Sequence, residues 1–248
     1  MGREEHERTV RFRTARRDPG LTVVEGFHAL KHALRFGAEL VEAVAIDPGR
    51  LEQMAAELAP DLAGQLAPRL ETIDEATLAE LVPLLPHTGV AAIARRPAVD
   101  LDRVLADPAP APLVLLEQPK NMGNIGACIR VAAGAGAAGV LTTGENDPWH
   151  PDAVRGAAGL QFALPVASVP ALPPSERPLL AIDPEGEELH PDRLPARAVL
   201  AFGTERHGIS AELLERADGR VAIPMREGVS SLNLATSVAI TLYCQRIG

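Results

Sequence analysis

The sequence predicts an α/β protein whose main domain is a parallel sheet covered by helices on both faces. Short apolar runs alternate with helical stretches along the chain, and each run is apolar throughout. This pattern is typical of strands buried on both faces, as in a parallel sheet. A third observation, the segment DPAPAP at residues 107–112, predicts a linker. We therefore expect a domain boundary near residue 108.

The part before the linker predicts a small α/β domain of residues 21–108. LTVVEG and VEAVAID favour strands, and an amphipathic stretch between them favours a helix closed by Gly37. Before this domain, residues 1–20 hold six arginines and little apolar material, so we expect a flexible, locally positive arm. The expected elements are a strand at 21–26, a helix at 27–36, a strand at 41–47, helices at 50–60 and 74–85, and a strand at 88–97.

The part after the linker, residues 109–248, alternates more regularly between strands and helices. Ser210 is expected to cap one of its helices, because a serine hydroxyl can accept from the free N–H groups of a first turn. The predicted strands are 112–118, 139–144, 164–169, 178–184, 197–203 and 219–225, and the predicted helices are 125–137, 150–162, 210–217 and 231–247. We therefore assign the parallel sheet to this part.

The composition restricts the class of protein. The 248 residues include 24 basic and 33 acidic side chains, for a formal charge of −9. Non-specific nucleic-acid binding needs a broad cationic surface, so we do not expect it, although a specific site with a local basic patch stays open. The two cysteines provide neither a disulfide framework nor metal-ligand spacing. With no signal peptide and no membrane-spanning run, the sequence favours a cytoplasmic protein without a metal.

A glycine fingerprint, GAGAAG at residues 134–139, raises the alternative of a nicotinamide-dependent oxidoreductase. The dinucleotide-binding motif needs its glycines after a strand and at the start of a helix, where backbone N–H groups meet the pyrophosphate. Here the glycines follow a helical stretch and lead into the strand VLTTG. We interpret them as a helix stop and a site of close packing.

The strand-to-helix position is occupied by PKNMGNIGACIR at residues 119–130 instead. Gly123 permits a tight turn, and Asn124 is expected to be the N-cap of the following helix. Arg130 then lies about two turns into a helix of small, apolar residues. An isolated helix arginine is commonly only solvated, but a cation among such residues also suits a binding or catalytic site.

Two later loops follow strands in the same way. LAFGTERHGIS places Gly203, Thr204 and Glu205 after a strand, and IPMREGVSSLNLATS places Ser231 and Asn233 at a helix start. Ligands of open α/β sheets collect at the carboxyl ends of strands. Each loop alone has an ordinary explanation, since Ser231 and Asn233 could serve only as helix caps.

Together, NMGNIGACIR, LAFGTERHGIS and IPMREGVSSLNLATSVAI resemble the three signature motifs of the SpoU/TrmH family of RNA ribose 2′-O-methyltransferases. The resemblance covers roughly residues 113–248. VVEGFHALKHAL and HTGVAAIARRP also resemble the small substrate-recruiting domain of ribosomal-RNA members. The resemblance implies a trefoil-knotted α/β domain, S-adenosylmethionine as cofactor and a homodimer.

The resemblance also implies roles for individual residues. Asn124, Arg130, Ser231 and Asn233 would form the catalytic cluster. The cofactor pocket would be lined by Gly203, Ile223 and Leu232, with Thr204, Glu205 and Met225 close by. Arg130 would act on the ribose hydroxyl either as the base or by stabilising the developing alkoxide, and both roles stay open.

The expected function is methylation of a ribose 2′-hydroxyl in structured RNA, with ribosomal RNA as the main expectation and tRNA as the alternative. A non-catalytic RNA-binding protein and an NAD-dependent oxidoreductase are less favoured alternatives. Because phosphate contacts position a protein on RNA, the candidate RNA-binding residues are the N-terminal arginines Arg16, Arg17, Arg95 and Arg96.

Overall fold

The computed structural model describes residues 3–204 and 208–247. The helices are α1 (Arg3–Ala15), α2 (Phe27–Arg35), α3 (Pro48–Leu58), α4 (Glu75–Leu81), α5 (Leu101–Ala106), α6 (Met122–Ala135), α7 (Pro151–Gly156), α8 (Ala211–Arg216) and α9 (Leu234–Ile247). The strands are β1 (Leu21–Glu25), β2 (Leu40–Ala45), β3 (Glu71–Thr72), β4 (Val90–Arg95), β5 (Leu113–Leu116), β6 (Gly139–Thr142), β7 (Val166–Ser168), β8 (Leu179–Glu188), β9 (Val199–Phe202) and β10 (Gly219–Ala222).

Two compact units make up the chain. The first contains the residues up to 97 together with 149–163, and the second contains 98–148 and the residues from 164 onwards. The first unit holds a four-stranded sheet in the order β1-β4-β2-β3. In this sheet β4 runs antiparallel to β1 and β2, and β2 pairs in parallel with β3.

The expectation of a flexible N-terminal arm is wrong for residues 3–15, which form α1. Phe12 and Ala15 are buried in the same core as Val23 and Ile93 of the sheet, and burial of this aromatic side chain fixes the helix. The side chain of Arg8 is only 6% exposed, and its charge is compensated by hydrogen bonds to Glu42 at 2.7 Å and to Glu71 at 2.6 Å. Sequence composition could not reveal these acceptors, because they lie far along the chain.

The second unit contains a six-stranded sheet in the order β10-β8-β9-β5-β6-β7. All five neighbouring pairs are parallel, which confirms the predicted parallel sheet. Leu113 and Leu115 of β5 are buried with Val199 and Ala201 of β9 in one apolar cluster. The carboxyl ends of β5 and β9 lie level, since Leu116 pairs with Phe202, and β8 passes the same point at Ile182 and continues to Glu188.

The segment around DPAPAP is not a free linker. Leu105 of α5 is buried in the apolar cluster of the second unit, so the units divide after residue 97 and not near 108. The buried Arg177 donates to five main-chain carbonyls, those of Val104, Leu105, Asp107, Ala111 and Arg197, at 2.9–3.2 Å. Burial and the nearby charge of Arg197 lower the pKa of Arg177. The guanidinium satisfies carbonyls that a proline-rich segment cannot pair within a helix or sheet.

Residues 149–163 belong to the first unit, although they lie between β6 and β7 in the chain. The hydroxyl of Thr22 donates to the carbonyl of Trp149 at 2.8 Å, and Arg155 donates to the buried Glu25 at 2.9 Å. Gly159 is so close to α2 that an added Cβ would lie 2.3 Å from the carbonyl oxygen of Ala29. The predicted helix at 150–162 is thus observed as α7 followed by a 3-10 turn at Leu160–Ala163.

The glycine fingerprint lies at the end of α6, as predicted. Gly136 caps this helix with a left-handed backbone, φ 74°, and β6 begins at Gly139. Glycine is favoured there because it adopts positive φ without a steric cost. In the described part of the chain, no helix is both long and apolar enough to span a bilayer.

Candidate active site

A cleft of about 300 Å³ opens at the carboxyl edge of the parallel sheet, beside β8, β9 and β10. Six of the ten predicted catalytic and cofactor residues line it: Gly203, Thr204, Ile223, Met225, Ser231 and Leu232. They come from two loops that are more than fifteen residues apart in sequence. Residues from both loops therefore line one cleft at this edge of the sheet.

The loop after β9 is built on a very close backbone approach. An added Cβ at Gly203 would lie 2.0 Å from the carbonyl carbon of Gly208, so no other residue fits without moving the main chain. Thr204 and Gly208 exchange two backbone hydrogen bonds of 3.0 Å. The predicted cofactor residue Glu205 lies outside the described residues.

Two asparagines join the first and third motifs. The side-chain nitrogen of Asn233 donates to Oδ1 of Asn124 at 3.0 Å. Oδ1 of Asn233 in turn accepts from the main-chain nitrogen of Ala235 at 2.9 Å and so stabilises the start of α9. Because both groups of the Asn233 amide are used, its orientation at the cleft edge is fixed.

The N-cap of α6 is Asn121, not Asn124. Oδ1 of Asn121 accepts from the main-chain nitrogen of Asn124 at 2.9 Å, which is the usual capping geometry. The sequence prediction placed the helix start three residues too late, because both asparagines precede a glycine-containing stretch. The side chain of Asn124 accepts from Asn233 instead.

Helices α6 and α9 run side by side in the same direction. At their amino ends, Asn233, which directly precedes α9, donates to Asn124 of the first turn of α6, and at their far ends Arg246 donates to the carbonyl of Ala135 at 2.6 Å. Both helices contain 14 residues, so these two contacts fix their register. Arg130 lies midway along α6.

Arg130 is exposed and makes no ion pair with any residue that the structure describes. It does not line the cleft, and neither does Asn124 or Asn233. The structure therefore brings Ser231 into the cleft, links the two asparagines beside it, and leaves Arg130 on the open surface of the helix that carries Asn124. A guanidinium that has no ion pair among the described residues can bind an anionic group from solution.

Several cleft residues were missed by the sequence analysis. Ile182 and Asp183 follow the buried part of β8, Phe202 ends β9, and Ser237 lies in the first turn of α9. The predicted strand at 178–184 already contained a signal, since AIDP ends an apolar run with a carboxylate. What the sequence did not reveal is that β8 lies between β9 and β10 in the sheet.

The four arginines predicted to bind RNA differ in their surroundings. Arg16 donates to the buried Glu25 at 2.6 Å, and Arg95 donates to Glu39 at 2.7 Å. Arg96 donates through Nε to the carbonyl of Leu21 at 2.6 Å, whereas Arg17 is exposed. Arg17 is therefore the strongest of the four candidates. Among the described residues, no group of three or more histidine, cysteine, aspartate or glutamate side chains could hold a metal ion.

The fold and the cleft define an α/β protein with a ligand site at the carboxyl edge of a parallel sheet. Residues 111–243 match the SpoU rRNA Methylase family, and residues 23–99 match the family described as RNA 2′-O ribose methyltransferase substrate binding. The chain belongs to the SpoU rRNA methylase family.

Two relatives of similar sequence are named as methyltransferases of 23S rRNA. The chain is 31% identical to the 23S rRNA (uridine(2479)-2′-O)-methyltransferase of Streptomyces viridochromogenes, over 78% of this chain and 67% of that protein. It is 29% identical to the 23S rRNA (guanosine-2′-O-)-methyltransferase RlmB of Bordetella pertussis, over 89% of this chain and 95% of that protein.

A solved structure shows the same fold over the full length. The SpoU methyltransferase AviRb from Streptomyces viridochromogenes, in complex with the cofactor AdoMet, superposes with a TM-score of 0.78. The alignment covers 100% of this chain and 98% of that chain at 24% sequence identity.

Proposed function

We propose that this protein is an S-adenosylmethionine-dependent methyltransferase that modifies a ribose 2′-hydroxyl in RNA, with ribosomal RNA as its substrate. The observation that carries the proposal is the meeting of the motifs at one sheet edge. The second and third motifs line one cleft, and the Asn124–Asn233 hydrogen bond joins the first motif to it. Family membership and the names of the relatives support the same reaction.

The cleft fits S-adenosylmethionine in size and chemistry. Its volume of about 300 Å³ lies at the lower end of the range for small-molecule sites. Phe202, Ile223 and Leu232 offer apolar contact for the adenine and the methionine stem, while Thr204 and Ser231 offer hydroxyls for polar groups. When bound, the cofactor supplies a methyl group on a positively charged sulfur, which needs no metal.

The side chains of this protein would hold and activate the ribose hydroxyl. We assign to Arg130 the stabilisation of the developing 2′-alkoxide, because a guanidinium normally keeps its charge at every accessible pH and is a poor base. Asn124 and Asn233 fix the start of α6 and α9, and Ser231 can donate to the substrate or to the cofactor from within the cleft. Arg130 as the base stays the alternative.

Three further features belong to the proposal. A homodimer is supported by apolar side chains that α9 leaves exposed, namely Ile240, Tyr243 and Ile247. A trefoil knot is supported by family membership. Since the proposed substrate is ribosomal RNA, we place the enzyme in the cytoplasm.

The reaction is tested by methyl transfer from labelled S-adenosylmethionine to ribosomal RNA and to tRNA. We expect label on one ribosomal-RNA nucleotide, in a dinucleotide that resists alkali, since a 2′-O-methyl group blocks the attack of that oxygen on the phosphate. Label on tRNA would favour the tRNA alternative. Label on a base would refute ribose methylation, and binding of NAD without any binding of S-adenosylmethionine would favour an oxidoreductase.

The role of the first unit is tested by two adjacent arginines. We expect Arg17→Ala to weaken RNA binding and to make log Kd less dependent on log salt by about one phosphate contact. Its free energy of unfolding should stay within about 0.5 kcal/mol of the wild type, because Arg17 is exposed.

Arg16→Ala is the matched control. It removes a hydrogen bond to the buried Glu25, so we expect the free energy of unfolding to fall by about 1–3 kcal/mol with little change in the salt dependence of binding. The assignment of Arg17 to RNA binding is wrong if Arg17→Ala binds RNA like the wild type at every salt concentration. It is also wrong if Arg16→Ala, and not Arg17→Ala, changes the salt dependence of binding.

A further inference from the structure

The turn between β5 and α6 has an unusual backbone. Gln118 has φ 46°, in the left-handed region that glycine and asparagine tolerate better than glutamine. The turn leads through Pro119 and Lys120 directly to Asn121, the cap of α6. A strained backbone conformation persists only where neighbouring residues stabilise it. The residues that contact this turn therefore stabilise its conformation.

The loop after β6 supplies those contacts. The hydroxyl of Thr143 accepts from the main-chain nitrogen of Gln118 at 3.0 Å, and the Thr143 side chain is nearly buried. Gly144 lies against the same residue, since an added Cβ would be 3.2 Å from the Cα atom of Gln118. The β6 loop therefore forms a close-fitting support under Gln118.

Asn146, in the same loop, contacts the next two residues of the turn. Its side-chain nitrogen donates to the carbonyl of Pro119 at 2.8 Å and to that of Lys120 at 3.4 Å. Both partners are carbonyl oxygens, so the group that faces them must be the NH₂ of the amide. One side chain thus fixes the two consecutive peptide units that precede Asn121.

These contacts act on the proposed catalytic residues through α6. Asn121 caps the nitrogen of Asn124, and Asn124 accepts from Asn233 beside the cleft. If the turn relaxed, the first turn of α6 would move and the hydrogen bond between the first and third motifs would lengthen. Small displacements of positioned groups reduce catalytic rates strongly.

We propose that Asn146 is a positioning residue that holds the Gln118–Lys120 turn, and thereby the start of α6, in the geometry needed for methyl transfer. The proposal rests on the proposed function for its catalytic consequence. Asn146 does not line the cleft, so it orients the machinery without touching the cofactor. None of the three sequence motifs contains it, and it was not a predicted site residue.

The test uses the full chain with two substitutions at this position. Asn146→Ala removes the side chain beyond Cβ, and Asn146→Asp keeps its shape but replaces the donating NH₂ by an acceptor. The control is Glu145→Ala, which changes the exposed neighbouring residue. We expect both Asn146 variants to lower the single-turnover rate of methyl transfer about tenfold, with the Kd values for S-adenosylmethionine and for RNA unchanged within about threefold.

Backbone hydrogen exchange gives a readout that does not depend on activity. We expect the peptides that cover residues 118–125 to exchange faster in both Asn146 variants and to be unchanged in Glu145→Ala. Unchanged exchange in this segment would overturn the proposal whether or not a substrate RNA is known. A rate loss as large in Glu145→Ala, or wild-type rates in Asn146→Asp, would overturn it too, whereas absence of methyl transfer in the wild type would contradict only the proposed function.

Discussion

Arg130→Ala should lower the rate of methyl transfer by at least about 100-fold while the Kd for S-adenosylmethionine stays within a few-fold. The loss corresponds to about 3 kcal/mol, the scale of one donor that acts on charge in the transition state. The separation of the two effects follows from the structure, because Arg130 is exposed on α6 and does not line the cleft. Rates are measured in single turnovers, and Kd values by calorimetry.

Two further variants sharpen this result. Arg130→Lys keeps the charge but loses the planar fork of donors, so we expect an intermediate rate. Arg103→Ala removes an exposed helix arginine of the same unit and should leave the rate unchanged. If a folded Arg130→Ala enzyme transfers methyl groups at nearly the wild-type rate, Arg130 has no catalytic role and is only a solvated arginine on the helix surface.

Leu232→Arg should weaken the binding of S-adenosylmethionine by at least about 100-fold. Leu232 is a half-buried, apolar part of the cleft wall, and an arginine there would replace the apolar contact that the cofactor needs by a charged group. It would also repel the positively charged sulfur of the cofactor. Calorimetry on the folded variant measures the loss.

The controls separate charge from position. Val229→Arg places the same charge on the same loop at a side chain that is 47% exposed and does not line the cleft, so binding should change little. Leu232→Met conserves volume and should bind within about threefold of the wild type. If Leu232→Arg binds the cofactor normally, the pocket lies elsewhere in the protein.

The domain division shows where local sequence patterns fail. DPAPAP has the composition of a linker, yet Arg177, about seventy residues later, fixes this segment through main-chain carbonyls. Residues 149–163 read as part of the methyltransferase domain but pack on β1 and α2 of the first unit. A fragment that begins near residue 109 would therefore carry this segment without the surface that buries it.

The arginines show that local composition also fails to predict which charges are paired in the folded protein. The composition of residues 1–20 predicts a positive arm, but Arg8 and Arg16 are compensated by Glu42, Glu71 and Glu25. Opposite charges that lie 9 to 63 residues away in sequence decide which arginine stays free for RNA. Of the two arm arginines predicted to bind RNA, Arg17 is exposed, whereas Arg16 is only partly exposed.

The sequence by itself determined the parallel sheet, the end of α6 at its glycines, and the two loops that line the cleft. These features depend on local properties: apolar runs, the freedom of glycine at positive φ, and polar residues directly after strands. The tertiary structure alone decided the role of β8 in the cleft, the hydrogen bond between Asn124 and Asn233, and the support of the Gln118 turn by Asn146. Each of these depends on strand order or on a hydrogen bond of fixed geometry, and distant residues meet in such arrangements only once the whole unit has packed.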